Sequence, residues 1–162
     1  MNYSFDYDNT LIKYKYIYSP TGEIIDVVYD RPHDQNIDIV RELHESGHNI
    51  YIITSRIKPI YEGFRYEWDE SPSPEKLVKE LSLPIKQIVY TNGSKKIEKL
   101  ILFNIQKHWD DDEAECEEIT KYNNLSYPIS IGHKIEYNLV QKQKGITVML
   151  RDKFLRLTKN ED

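Results

Sequence analysis

Phe5-Asp6-Tyr7-Asp8-Asn9-Thr10-Leu11 is the stretch of sequence that indicates the fold. Residues 3–5 lead into it, and we interpret them as a short, buried first strand. Two carboxylates and a threonine follow where that strand ends, and ligands bind at this edge of an open parallel α/β sheet. A continuing strand would point Asp6 and Asp8 to opposite faces, so we expect a bend that brings both into one site. An acidic turn without a function is the alternative interpretation of these residues taken alone.

A β-hairpin is predicted directly after this stretch. Residues 11–18 alternate polar and aromatic side chains, and residues 23–29 are rich in β-branched side chains. The turn residues 19–22, Ser-Pro-Thr-Gly, separate the two segments. We expect the hairpin to form a flap, at about residues 12–30, that projects just after Asp8.

Helical and strand-like segments alternate along the rest of the chain. One helix is predicted to begin within residues 31–34 and to end at 46–47, and others cover residues 75–81, 95–102 and 113–122. The predicted strands cover residues 49–53, 87–90, 106–109 and 127–132. Strand, helix, strand is the unit of a parallel sheet on which helices pack. We therefore predict an α/β fold, a Rossmann-like three-layer sandwich with a mainly parallel sheet and a β-hairpin flap after the first strand.

The length and composition indicate one globular domain. The chain has 162 residues, of which 39% are hydrophobic and 30% are charged. Within this domain we expect a small insertion at about residues 57–83 and a C-terminal extension at about residues 134–162. The net charge of −5 argues against a large nucleic-acid interface, which usually needs a basic face. A small anionic substrate held by a few local groups stays compatible with it, and the oligomeric state is left open.

The sequence contains no recognisable targeting or membrane signal. Its first residues do not combine a basic start with an apolar core, and no apolar run approaches the roughly 18–20 residues that span a bilayer. The single cysteine, Cys116, cannot form an internal disulfide, which is compatible with a reducing compartment. We expect a cytoplasmic protein without a membrane partner.

Three later polar segments lie at predicted strand ends or at a helix start. They are Ile52-Ile53-Thr54-Ser55-Arg56, Gly93-Ser94-Lys95-Lys96 and His108-Trp109-Asp110-Asp111-Asp112. Together with Phe-Asp-x-Asp-x-Thr-Leu at residues 5–11, their order resembles the four motifs of the haloacid dehalogenase superfamily of phosphohydrolases. The resemblance covers about residues 3–132 and implies a single hydrolase domain of that kind.

The resemblance implies a Mg²⁺-dependent phosphatase. Asp6 is then the nucleophile that forms an aspartyl-phosphate, and Asp8 is the general acid and base. Asp110 and Asp111 are expected to hold Mg²⁺ directly or through water, together with Asp6 and the backbone carbonyl of Asp8. The residues themselves argue in the same direction, because neighbouring carboxylates without a cation repel one another and raise their pKa values.

The remaining expected site residues would bind the phosphoryl group. Thr54 would hydrogen-bond a phosphoryl oxygen through its hydroxyl and backbone N–H, and a lysine would neutralise charge as the transition state forms. We prefer Lys96 for this role because its spacing toward Asp111 is the best, with Lys95 and Lys99 as the alternatives. A solvent-exposed helix face is the competing interpretation of each lysine.

Thr10, Ser55 and Arg56 are candidate substrate-binding residues on the same resemblance. For Arg56 a surface or structural role is an equally good interpretation. Packing at a strand end is the preferred interpretation of His108, and capping of the next helix is that of Asp112. The predicted insertions are too short for a helical cap domain, so the site should be fairly open.

The resemblance is greatest to small, nearly capless phosphatases that act on nucleotides or on nucleic acid ends, including the phosphatase domains of polynucleotide kinase-phosphatases. The expected partner is therefore a small phosphorylated substrate, with nucleotides as the leading class and a nucleic acid end as the second. The chain has no Gly-x-x-x-x-Gly-Lys-Ser/Thr sequence, so a kinase half is not expected. Two alternatives stay open: a binding or regulatory protein of this fold without turnover, and a phospho-accepting domain similar to receiver domains. In receiver domains the acidic pair precedes the phospho-accepting aspartate, whereas here the pair comes late.

Overall fold

The computed structural model describes residues 1–61 and 70–121, together with the backbone of residues 130–131. The strands in this part of the chain are β1 (Asn2–Phe5), β2 (Ile12–Tyr18), β3 (Ile24–Pro32), β4 (Asn49–Thr54), β5 (Ile85–Tyr90), β6 (Ile105–Trp109) and β7 (Ser130–Ile131). The helices are α1 (Asp34–Glu45), α2 (Pro74–Leu81), α3 (Ile97–Leu102) and α4 (Glu113–Lys121).

A parallel sheet forms the centre of the molecule, as the alternation of strands and helices predicted. Its strand order is β5-β4-β1-β6-β7, with β1 in the middle. Phe5 of β1 pairs with Ile52 of β4 on one side and with Trp109 of β6 on the other. Since the strands are parallel and in this register, Asp6 and Asp110 leave the sheet side by side at its carboxyl edge.

The predicted hairpin is confirmed as a separate two-stranded antiparallel sheet of β2 and β3. A tight turn leads into it, in which the backbone N–H groups of Thr10, Leu11 and Ile12 all donate to the carbonyl of Tyr7. This turn is the bend that the acidic stretch required. Strand β3 continues to Pro32, beyond the predicted end at residue 29, because residues 31 and 32 still pair with β2.

Two apolar clusters pack against the sheet. The first contains Phe5, Tyr7, Leu11, Ile12, Ile37, Val40, Ile50, Ile52, Leu77, Leu83 and Trp109. The second contains Tyr51, Ile53, Val89, Ile97, Leu100, Ile105 and Ile119. Alternate residues of β4 enter different clusters because successive side chains of a strand point to opposite faces. Helices α1 and α2 therefore cover one face of the sheet, and α3 and α4 cover the other.

The helices begin at residues that satisfy their first backbone N–H groups. The His33 ring accepts from the N–H of Asn36 at α1, and the Ser73 hydroxyl accepts from the N–H of Lys76 at α2. At α4 the Asp112 carboxylate accepts from the backbone N–H groups of Ala114 and Glu115 in the first turn, which agrees with the predicted cap.

Parts of two predicted segments lie outside the described residues. The predicted insertion at residues 57–83 is described at 57–61 and 70–83, where it contains α2. The predicted strand at residues 127–132 is described only at Ser130–Ile131, and the predicted extension at 134–162 lies wholly outside. Within the described ranges, no helix combines the length and the apolar character that crossing a membrane requires.

Candidate active site

Three buried carboxylates meet at the carboxyl edge of the sheet. Asp6, Asp110 and Asp111 each offer an oxygen, and these oxygens all lie within 4.8 Å of one another. The convergence follows from the strand register, and it is tightened by a hydrogen bond of 2.8 Å from the backbone N–H of Asp6 to the carbonyl of Trp109. Asp6 of the first predicted motif and Asp110 and Asp111 of the fourth are therefore close enough together to hold one ion.

Lys96 places a positive charge between two of these carboxylates. Its Nζ lies 2.8 Å from Oδ1 of Asp6 and 2.5 Å from Oδ2 of Asp110, and the side chain is almost fully buried. Burial by itself lowers the pKa of this lysine, but the carboxylates of Asp110 and Asp6 outweigh it and hold the pKa well above its ordinary value. Lys96 is therefore a fixed cation in the site.

Local structure before α3 explains why Lys96 and not its neighbours reaches the carboxylates. The hydroxyls of Thr91 and Ser94 each donate to the other residue's backbone carbonyl, which closes a turn. The backbone N–H of Lys96 donates to the Glu115 carboxylate at 2.6 Å. Lys95 is exposed and pairs with a carboxylate of α4. Lys99 is half-buried in α3. Of the three lysines considered, the structure brings Lys96 to Asp6 and Asp110.

The donor set fits a divalent cation. Burial, followed by the negative charge of Asp110, raises the pKa of Asp6 even though Lys96 opposes this shift. Three carboxylates against one ammonium leave excess negative charge in a buried space when all are ionised. Their ligand atoms are all carboxylate oxygens, the type that hard cations such as Mg²⁺ and Ca²⁺ prefer. Asp6, Asp110 and Asp111 could therefore hold such an ion.

Asp110 has further partners that the sequence analysis missed. Nε2 of His108 lies 2.8 Å from the same carboxylate oxygen that contacts Lys96, and Nδ1 of His108 lies 2.7 Å from the hydroxyl of Ser4. The backbone N–H of Asp112 donates to the other oxygen of Asp110. His108 is buried at the end of β6, as its predicted packing role requires, and burial lowers the pKa of its ring.

Asp8 is not a member of the three-carboxylate group. Its carboxylate accepts two hydrogen bonds from Arg56, of 2.9 and 2.7 Å, and a third of 2.5 Å from the hydroxyl of Tyr14 on the flap. The guanidinium of Arg56 also donates to the hydroxyl of Ser71 and lies over the ring of Tyr7. A metal contact of Asp8 through its backbone carbonyl stays a prediction.

The contacts of Arg56 are those of a structural residue, which was one of the two interpretations of Arg56 from the sequence. It joins the loop after β1, the flap and the segment before α2 around one carboxylate. Contact of Arg56 with substrate stays a prediction. Neither Tyr14 nor Ser71 was a candidate from the sequence, because nothing local to them indicates that they face Arg56.

The other candidate residues lie around the same edge. The hydroxyl of Thr10 is 3.4 Å from Oδ2 of Asp6. Thr54 is fully buried at the end of β4, where its hydroxyl accepts from the backbone N–H of Arg56. The carbonyl of Ser55 accepts from Gly93, in the turn that leads to Lys96. Their proposed contacts with a phosphoryl group stay predictions.

Comparison with known proteins gave no match, either to a protein-family model or to a curated protein.

Proposed function

We propose that this chain is a Mg²⁺-dependent phosphatase of the haloacid dehalogenase type, built on a Rossmann-like three-layer sandwich. It hydrolyses a phosphomonoester through an aspartyl-phosphate on Asp6. The observation that carries the proposal is the position of the Asp6 carboxylate, which lies in the buried group with Asp110 and Asp111 and 2.8 Å from the ammonium of Lys96. This carboxylate lies at the carboxyl edge of a parallel sheet, next to the ammonium of Lys96 and to the place of a bound cation. Such positive charge favours its attack on an anionic phosphorus centre.

The first half of the proposed reaction transfers the phosphoryl group to the protein. An oxygen of Asp6 forms a bond to phosphorus while the bond between phosphorus and the ester oxygen breaks. Asp8, whose carboxylate is ion-paired with Arg56 here, takes up a proton from solvent on substrate binding and gives it to the departing oxygen. Asp6, Asp110 and Asp111 would hold a divalent cation, which would neutralise part of the phosphoryl charge. Lys96 and the Thr10 hydroxyl each hold a different oxygen of Asp6 and so orient the nucleophile.

The second half returns the protein to its starting state. Asp8 takes a proton from a water molecule, whose oxygen forms a bond to phosphorus as the bond to Asp6 breaks. Inorganic phosphate leaves, the carboxylate of Asp6 is regenerated, and Asp8 returns its proton to solvent. Arg56 and Tyr14 fix the place of the Asp8 carboxylate, because together they supply all three of its described side-chain hydrogen bonds.

The proposed substrate is a small phosphorylated molecule, with nucleotides as the leading class and a nucleic acid end as the second. The net charge of −5 favours the smaller substrate, because a long polyanion needs a basic surface. Phosphate release from mononucleotides, compared with release from 3′- and 5′-phosphorylated oligonucleotides, will assign the class.

Turnover of an aryl phosphate tests the proposal. We expect the purified protein to release phosphate with Mg²⁺ and not with a chelator, and Asp6→Asn to lower kcat by roughly 1,000-fold or more. Asp38→Asn, an exposed change on α1, is the matched control and should leave kcat unchanged. A stable acyl-phosphate without turnover would indicate a receiver-like domain instead. Absence of both turnover and acyl-phosphate would overturn the proposal.

A further inference from the structure

The polar chain from Ser4 through His108 to Asp110 lies inside the molecule, behind the candidate metal site. All three residues are completely buried. Ser4 and His108 are register partners on the adjacent strands β1 and β6. Each stands two positions before an acidic residue of the site, Asp6 or Asp110, so the period of a strand puts it on the same face as that residue. Burial of such groups costs free energy unless their hydrogen bonds are made.

With Asp110 ionised and His108 neutral, the contacts indicate which ring nitrogen carries the hydrogen. An ionised carboxylate can only accept, so the hydrogen in the contact of 2.8 Å between His108 and Asp110 is on Nε2. A neutral imidazole then accepts at Nδ1, and the Ser4 hydroxyl, 2.7 Å away, donates to it. Without this donor the ring can move its hydrogen to Nδ1, which would turn a lone pair toward the carboxylate of Asp110.

Lys96 and His108, which both contact Asp110, differ in what else they bind. Lys96 is shared between Asp110 and Asp6, whereas the other side-chain partner of His108 is Ser4, on a rigid central strand. His108 therefore ties the Asp110 carboxylate to the sheet without contacting the nucleophile. Outer partners of this kind orient the carboxylates and imidazoles that bind metals, and their loss typically weakens metal binding by about 10- to 100-fold.

We propose that His108 is a positioning residue that holds the Asp110 carboxylate ready for a divalent cation, and that Ser4 holds His108 in the tautomer required for this. The inference rests on the cation site of the proposed function, but not on which reaction the site performs. It assigns a purpose to two buried polar residues, Ser4 and His108, that the phosphatase mechanism itself does not use.

Mg²⁺ binding, measured by calorimetry without substrate, tests the role of His108. We expect His108→Leu to raise the Kd for Mg²⁺ by about 10- to 100-fold. His108→Gln should stay within about 3-fold of the unmodified chain, because its amide can donate from nearly the same place as Nε2. His44→Leu, an exposed change on α1, is the matched control and should leave the Kd unchanged. Equal loss of affinity in the Leu and Gln variants would assign His108 to packing alone and overturn the inference, as would an unchanged Kd in a folded His108→Leu.

The tautomer is tested by the ¹⁵N chemical shifts of the His108 ring, a measurement that needs neither turnover nor a variant of His108. The unmodified chain should show hydrogen on Nε2, and Ser4→Ala should show a mixture of tautomers together with weaker Mg²⁺ binding. Hydrogen on Nδ1 in the unmodified chain would overturn the inference. Mg²⁺ binding without turnover would contradict the phosphatase and leave the role of His108 standing, whereas absence of any Mg²⁺ binding would overturn both.

Discussion

The ammonium nitrogen of Lys96 lies 2.8 Å from a carboxylate oxygen of Asp6, although 90 positions separate the two residues in the chain. The contact exists because β1 is the central strand of a parallel sheet and the turn at residues 91–94 presents Lys96 to the same edge. A buried ammonium between two buried carboxylates lowers the repulsion that would otherwise oppose the folded state. It also supplies charge where a phosphoryl group would arrive.

Replacement of Lys96 tests whether this charge acts in catalysis. Lys96→Met keeps much of the side-chain volume but removes the ammonium, and we expect kcat to fall by about 100- to 1,000-fold with the protein still folded at saturating Mg²⁺. Lys95→Met is the matched control, because Lys95 pairs with Glu118 on the surface. Equal kcat values for the two variants would show that Lys96 has no part in the reaction.

Removal of metal is expected to destabilise the protein. A ligand that binds only the folded state adds about 2.7 kcal/mol to the free energy of unfolding at 100 times its Kd. We expect Mg²⁺ to raise the melting temperature of the unmodified chain and to lose this effect in Asp110→Asn and Asp111→Asn. Asp112→Asn should keep the full response, since Asp112 caps α4 and asparagine is an equally good cap. A response that is the same in all three variants would place the ion elsewhere.

The pair of Arg56 and Asp8 is predicted to be strongly coupled. Both side chains are about nine-tenths buried, so removal of one partner leaves an uncompensated charge and should cost about 3–5 kcal/mol of stability. In a double-mutant cycle with Arg56→Gln and Asp8→Asn, urea unfolding should give a coupling free energy of about 1–3 kcal/mol. Arg56→Lys should not restore stability, because lysine lacks the two-pronged geometry of guanidinium. Additive losses would contradict the paired arrangement.

The carboxyl group of Glu115, close to the site, should make the free energy of unfolding depend on pH. Burial raises the pKa of Glu115 above its ordinary value of 4.5, with Lys96 opposing the shift. A carboxyl group whose folded pKa is raised stabilises the protein below the unfolded pKa, and this contribution is lost as pH rises through the folded pKa. The free energy of unfolding of the unmodified chain, relative to Glu115→Gln, should therefore decrease from pH 4.5 upward. A difference that increases over this range would have the wrong sign.

The sequence predicted those parts of the site that depend on the order of elements alone. Asp6 and Asp110 each follow a strand, and strands of a parallel sheet end at one edge, so their proximity follows once β1 and β6 are neighbours. Local spacing also favoured Lys96 among three lysines. Boundaries were less certain: α3 begins at Ile97 instead of residue 95, because the turn at residues 91–94 holds the preceding chain out of the helix.

Contacts that depend on the direction of individual side chains were not predicted. The hydroxyl of Tyr14 on the flap donates to Asp8, and the hydroxyl of Ser71 accepts from Arg56. The contact between Ser4 and His108 left a visible signal, since each polar residue precedes an acidic one by two positions. Using that signal requires knowing that β1 and β6 are adjacent and in register, which local sequence does not specify.

The central claim is that Asp6 takes the phosphoryl group, and chemical trapping of the phosphorylated side chain tests it most directly. Asp8→Asn lacks the base for the second half-reaction, so with an aryl phosphate and Mg²⁺ it should accumulate the aspartyl-phosphate. Borohydride reduction followed by peptide mass spectrometry should then find homoserine at position 6, only with both substrate and Mg²⁺ present. Phosphate release by the unmodified chain without any adduct at position 6 in a folded Asp8→Asn, or an adduct at a different residue, would contradict the account.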